Sequence, residues 1–432
     1  MLRRLRELKG EIPPDILTTN PRISHRFLVV IFGVLLLLGV IAFLTALSGP
    51  QAPRAWQVYL VNLLFWFGLS SGAMLFVAIL NVTNARWGRP LKRLVEALGA
   101  FLPFSFLLFW VLYFGREEIF PWVLEPVHGK ENWLNLPFLF VRDGVGLFLL
   151  TVSSLALSYY STKKEKAILS KAVRYSGNEQ QGSGKEGEPD RCWRLQVVLS
   201  PIVGILYGLV LTLVAFDLIM SLDPHWFSTL FGGYFFIGSF YTALAALVCL
   251  TGLSWKVMGL EKFIRPRHFH DLGKLLFAFC LMTGYLFYSQ FLVIWYGNIH
   301  EETKYIIHRI HQSPWEPLAW IILGICFALP FCILLSRKIK MRPTAMVALG
   351  AIILAGMWLE RFILIAPSLW KGHGIPLGMI EVLITGGFFG AMALTSLIYL
   401  KTFPLLPFLD PLFQAELKVI RAEVEPENTR NK

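Results

Sequence analysis

Asp217 follows a run that is apolar from Val197 to Phe216 apart from Ser200 and Thr212. The segment it opens, DLIMSLDPHWFSTLFGG (Asp217–Gly233), holds two carboxylates, a histidine and a proline, and no Lys or Arg. An ionised carboxylate at the edge of hydrocarbon costs about 2.5–3.5 kcal/mol unless partnered, which makes it a candidate for function. Its chemistry would be proton exchange, or hydrogen bonding to a polar headgroup such as a quinone. Similar residues stand near the same ends of other apolar runs: Arg142 and Asp143, Glu360 and Arg361, and Glu381. Asp223 and His225 lie just beyond Asp217. Pairing Arg142 and Arg361 with these carboxylates would relieve the cost of burial, either as an inert clasp between helices or as a relay for protons.

These residues need elements to place them, and the composition says which. The chain has 432 residues, 55% of them hydrophobic, with 16% charged against about 25% in soluble proteins. The mean hydropathy is +0.58. A bilayer-spanning helix needs about 20 apolar residues. Ten stretches qualify, near 26–48, 56–80, 96–115, 137–160, 195–216, 230–254, 272–296, 316–336, 345–366 and 377–400. The expected fold is an all-α polytopic membrane protein with no sizeable soluble domain. At about 1.5 Å per residue, Glu360 sits roughly 22 Å from the start of its span, in the outer third, and Glu381 about one turn below the outer surface.

The net charge of +12 is distributed as a topology signal rather than a nucleic-acid footprint. Six Lys and Arg precede the first span, four lie in loop 2–3 (Arg86, Arg89, Lys92, Arg93) and eight in loop 4–5. Loops 6–7 and 8–9 have four each and the tail from Lys401 has five, so 31 of 40 fall on one side. Both termini are therefore expected to be cytoplasmic, with some contact to anionic lipid. The first span has no small-residue cleavage pattern after it and reads as a retained signal anchor. Residues 1–25 form a basic lead, 26–400 the ten-span domain and 401–432 a cytoplasmic tail near the membrane surface. Within the domain, 161–194 is expected to be a flexible loop, because Ser176–Asp190 is polar and rich in Gly and Ser.

A weak internal repeat organises the spans. Tyr113–Glu118 (YFGREE) resembles Trp295–Glu302 (WYGNIHEE), each following a basic loop. Asp217 stands nine residues before Trp226, and Glu360 ten before Trp370. Spans 2–5 (56–216) and 6–9 (230–366) thus read as two four-helix bundles of the same orientation, flanked by spans 1 and 10. Gly68/Gly72, Gly204/Gly208 and Gly386/Gly390 have the spacing that lets helices approach closely.

Cofactor ligands are scarce. Cys192, Cys249, Cys280, Cys326 and Cys332 form no CxxC or CxxCH motif, which speaks against iron–sulfur ligation and covalent haem within the chain. None of the nine histidines falls mid-membrane, so a bis-histidine haem is rejected. His308 and His311 alone are a weak metal signal, and no catalytic residue or metal ligand is assigned. The HxH pair His268/His270 reads as interfacial polarity. Asp271 and Lys274 fit helix capping and snorkelling at the start of the seventh span. Asn62, Ser70, Ser71, Ser105, Tyr285, Tyr288, Ser289 and Gln290 add polarity at mid-depth.

Ten spans, two parallel bundles and an acidic outer rim resemble the NrfD-like, polysulfide-reductase superfamily of membrane anchors. The DPHWFST run within Asp217–Gly233 more closely resembles the membrane subunits of alternative complex III. Trp56–Gly72, Ala85–Arg93, Phe114–Trp122 and Asp271–Trp295 support the likeness. The chain is more similar to that complex's F subunit than to its larger C subunit. The resemblance implies a bacterial inner-membrane complex that oxidises menaquinol or ubiquinol near the outer face. It also implies partners: a C-type membrane subunit, and subunits carrying iron–sulfur clusters and c-type haem. The chain itself is expected to bind no cofactor beyond a candidate quinone and not to be catalytic alone. No histidine stands inside its outer pocket, His225 being the nearest. Two alternatives stay open, a stand-alone secondary transporter and an inert scaffold of the same complex.

Overall fold

The computed structural model describes residues 25–174 and 188–417, and the basic lead (1–24), residues 175–187 and the end of the tail (418–432) lie outside it. Ten helices are long and apolar enough to cross a membrane: α1 Arg26–Leu47, α2 Ala52–Val82, α3 Arg89–Ile119, α4 Leu136–Lys163, α5 Arg191–Leu222, α6 Phe231–Val257, α7 Pro266–Gly297, α8 Trp315–Leu335, α9 Pro343–Leu369 and α10 Met379–Thr402. The chain is an all-α, multi-pass membrane protein. Proline in the first turn opens α2, α7 and α9, where its missing N–H has no helical partner to lose. α3 is interrupted by 3₁₀ turns, and α8 by a widened five-residue turn at Gly324–Ala328. Within that widened turn, the Cys326 carbonyl accepts the Tyr241 hydroxyl at 3.2 Å.

Helices α2, α3, α4 and α5 pack in a ring, and so do α6, α7, α8 and α9. The rings meet where α6 lies against α2 and α5, and α9 against α2. α2 is apolar on all sides and 89% buried over its most hydrophobic window, so it forms the centre of the molecule. α1 is 6% buried by the same measure and leans almost wholly on α10.

Close packing uses some of the glycine pairs and not others. A Cβ on Gly68 or Gly72 would lie within 3 Å of Ser239 or Ala243 on α6, so this pair sets the contact between the rings. Gly208 has open space around it and Gly204 meets only Leu75 at 3.9 Å, so the Gly204/Gly208 spacing marks no close approach. On α10 the tight positions are Gly387 and Gly390 rather than Gly386. A Cβ on Gly39 of α1 would sit 2.4 Å from the Gly387 Cα, backbone against backbone. Gly39→Val should therefore push α1 off α10 at a cost of about 1–3 kcal/mol and lower the melting temperature in detergent. Gly33→Val, whose Cβ meets nothing, should leave it unchanged.

Contacts between loops define two ends. Loop 2–3, loop 4–5, loop 6–7 and the segment after α10 are tied together at one end by Arg89, Lys92, Arg93 and Arg267. The opposite, far end holds the segments after α1, α3, α5, α7 and α9. Residues 161–174 are not loop: the α4 helix continues to Arg174, and the helix of α5 begins at Glu188. Polar residues there extend the helix past the apolar core, and Glu165 is buried against Arg93. The start of the tail is also buried rather than superficial, through Leu405, Leu406 and Phe413.

Candidate functional site

Asp217 lies at the end of α5, where the helix tightens into a 3₁₀ turn at Met220–Leu222. Its side chain is fully buried. Arg142 of α4 grips both carboxylate oxygens, Nε and Nη2 each donating at 2.5 Å, and the Trp133 indole donates to Oδ1 at 3.0 Å. The guanidinium is stacked 3.9 Å above the Trp133 ring and 4.6 Å from Phe138, which fixes the plane of the fork. Asp143 is also fully buried. Neither of its carboxyl oxygens meets a donor among the described residues, and the group they face is the Asp217 carboxyl. Two carboxyl groups thus share one cation. Like charges this close oppose ionisation of both carboxyl groups at once.

Glu360 and Arg361 form a second buried cell in the other ring. Arg361 Nη1 donates to Glu360 Oε1 at 3.1 Å and lies 2.8 Å from Oε2. Its Nη2 donates to the Phe235 carbonyl and the Ser239 hydroxyl at 3.3 and 3.2 Å. The Tyr234 hydroxyl faces Glu360. At the far end, Trp226 stacks on Tyr305 at 3.8 Å between ring centres, and Arg309 covers Tyr305 at 3.4 Å. Arg309 also holds the end of α9 through the carbonyls of Ile363 and Leu364 and the Ser368 hydroxyl. Asp223 is an acidic neighbour of Tyr305 and Arg309, and Glu360 also acts on Tyr305. Burial among these groups pushes the Tyr305 phenol up from its usual range.

Glu381 belongs to a third cell. It accepts a bidentate pair from Arg54 at 2.6 and 2.7 Å and caps its own helix through the Gly378 N–H at 2.7 Å. An open groove of about 460 Å³ runs beside it, lined by Trp358, Leu377, Gly378, Val382 and Thr385. Asn62 of α2 closes this region, bonding Thr385 and accepting the Trp358 and Trp66 indoles.

The expected single outer rim is therefore three separate cells, one on each ring and one on α10. No hydrogen bond or ion pair joins Asp217, Glu360 and Glu381 among the described residues. Helix α2 and the contact between rings keep them apart, and Glu381 takes its cation, Arg54, from the first turn of α2. His225 is exposed at the far end. His268 is buried, accepting the Arg265 N–H at 2.9 Å as part of a helix start, while His270 and Lys274 are near Asp271 at the surface. The two histidines of the HxH pair thus point to different surroundings and form no common site.

A buried charge cluster at the basic end escaped the sequence reading. Arg89, Lys92, Arg93 and Glu96 are all at most 1% exposed. Asp410, from the segment after α10, receives Lys92 at 2.9 Å and Arg89 at 3.1 Å. Arg93 bridges Glu96 and Glu165, and the Tyr399 hydroxyl donates to Glu96 at 2.7 Å. Burial acts to raise the Asp410 carboxyl, but Lys92 and Arg89 outweigh it and hold the group below the usual carboxylate range. At Glu165 burial prevails over Arg93 and the carboxyl is raised. The spacing Arg89, Lys92, Arg93, Glu96 traces one helical face, and that periodicity was the available signal.

Two four-helix rings of membrane-crossing helices, with buried ion pairs at both ends, define a polytopic membrane protein. The family model described as polysulphide reductase, NrfD, matches residues 46–371, from the end of α1 through α9 and so across both rings. The chain belongs to the NrfD family. No curated protein matches it.

Proposed function

We propose that this chain is the F-type membrane subunit of an alternative complex III, a quinol-oxidising complex of the bacterial inner membrane, and that the Asp143–Asp217–Arg142 cell exchanges protons at its outer face. The basic end is cytoplasmic in this reading, with both termini, and the far end faces outward. Quinol oxidation releases protons, and electrons pass to iron–sulfur and c-type haem groups held by partner subunits. This chain's part is to hold and move protons. Arg142 and Trp133 fix Asp217, and Asp143 is the free end of the pair. The observation that carries the reading is the Asp143 carboxyl, buried against a second carboxyl with no donor of its own. The NrfD family match across both rings supports the membrane-subunit part.

The test is the amide series. Asp143→Asn and Asp217→Asn are expected to leave the complex assembled while lowering quinol turnover and outward proton release on the order of 10²-fold, the usual scale of a lost acid–base group. An assembled complex with unchanged turnover and proton release would refute the relay.

A further inference from the structure

The outward stripe of α7 presents two phenols at membrane depth. Leu281, Met282, Tyr285, Tyr288, Leu292 and Trp295 are all exposed and recur at helical spacing, so they lie along one side of the helix. The midpoint of α7 (Pro266–Gly297) falls between Leu281 and Met282. At about 1.5 Å per residue, Tyr285 lies about 5 Å and Tyr288 about 10 Å beyond it. Both are inside a hydrocarbon half-thickness of about 15 Å. Helical side chains lean toward their own N-terminus, and for α7 that is the basic end. The phenols therefore lean toward mid-membrane and away from the interface where Tyr and Trp usually settle. Neither hydroxyl has a hydrogen-bond partner among the described residues. Lipid tails offer none, so each is costly as it stands. The exposed side of α1 is the contrast: from Phe27 to Leu44 it carries no polar side chain, as a lipid-facing helix should.

We propose that this stripe seats a transmembrane helix of a partner subunit, one that brings small residues and hydrogen-bond acceptors to mid-depth. The proposal rests on the reading of the chain as a subunit of a membrane complex and names the surface through which it binds. The stripe from Leu281 to Trp295 is about 21 Å long, which suits a helix and exceeds what one headgroup covers. Two donors one turn apart on the same side ask for acceptors one turn apart, as a facing helix presents. A second copy of this chain fits poorly. A two-fold axis along the membrane normal would set Tyr285 against Tyr285 among Leu and Met, and Ser289, the small residue on this side, has Tyr285 and Val293 four residues away, so no pair of small residues lets the backbones approach. The small residues must come from a different helix.

Photo-crosslinking of the assembled complex tests this. Benzoylphenylalanine placed at Tyr285 or Tyr288 is expected to give an adduct to one partner subunit, located by peptide mass spectrometry in a membrane-spanning segment. The same group placed at Val34 of α1 should give lipid adducts. Tyr285→Phe combined with Tyr288→Phe should reduce retention of that partner in detergent about tenfold. The chain's own melting temperature should hold, because the hydroxyls bond nothing within it. Lipid adducts alone, or an adduct to a second copy, in a complex that is otherwise intact overturn the inference and leave the subunit reading standing. A chain that purifies without partners overturns both.

Discussion

Asp410→Ala is expected to destabilise the folded protein by about 3–5 kcal/mol, because it strands two buried cations at once. Arg89 and Lys92 have side chains 0% and 1% exposed, and Asp410 is the carboxylate both of them reach. Arg89 keeps the Asn81 side chain and the Leu80 and Ala85 carbonyls, and Lys92 keeps Gln196, so neutral acceptors soften the loss toward the lower figure. Chemical or thermal melting in detergent gives the size of the effect, and limited proteolysis should show the segment after α10 released first. A melting temperature equal to wild type would mean that the cluster contributes nothing. The pH dependence has a definite sign. The Asp410 carboxyl is held below its unfolded range, so its contribution is present above about pH 4 and is lost as pH falls through the lower folded value. Glu165, raised by burial, acts oppositely: its contribution is present below about pH 4 and is lost as pH rises through its folded value. Asp410→Asn should therefore flatten the acid limb of the stability curve.

Arg142→Ala is expected to cost a similar amount, about 3–5 kcal/mol, by leaving the buried Asp217 carboxylate without its cation and still against Asp143. Trp133 alone would remain as a donor to Asp217. Arg142→Lys should not rescue it, since an ammonium has neither the two-pronged fork nor the flat face that stacks on Trp133. The double variant Arg142→Met with Asp217→Leu should recover most of the stability, because a buried ion pair replaced by apolar groups of similar size is often neutral. That variant separates stability from function: it should melt near wild type and still lose proton release. If Arg142→Ala melts as wild type does, Asp217 is not held as an ion in this cell.

The spans were legible because hydropathy records the membrane directly. Their ends were less so, since α2, α3 and α7 run beyond hydrocarbon into the interface, where polar residues no longer stop a helix. α3 shows the limit best. Arg89, Lys92 and Arg93 read as loop charge because charged residues normally stay in water, yet the fold buries them under Asp410 and Glu165. Glu165 lies 72 residues from Arg93 and Asp410 lies 321 from Arg89, and nothing local in the sequence joins Arg89 to Asp410 or Arg54 to Glu381. The pairing of Arg142 with Asp217 could be anticipated, because buried opposite charges near one end of neighbouring helices have few other options. The orphaned Asp143 could not, since its neighbour Arg142 offered an obvious but wrong partner. Glycine spacing likewise gave the contact at Gly68/Gly72 but suggested one at Gly204/Gly208 where no helix approaches closely.

The relay at Asp143 and Asp217 is tested most directly by infrared difference spectroscopy of the purified complex, comparing its quinol-reduced and oxidised states. A change in the carbonyl-stretch band of protonated carboxyl groups is expected in wild type, and it should vanish in Asp143→Asn while the protein stays assembled. The same band persisting in both Asp143→Asn and Asp217→Asn would contradict proton exchange at this pair.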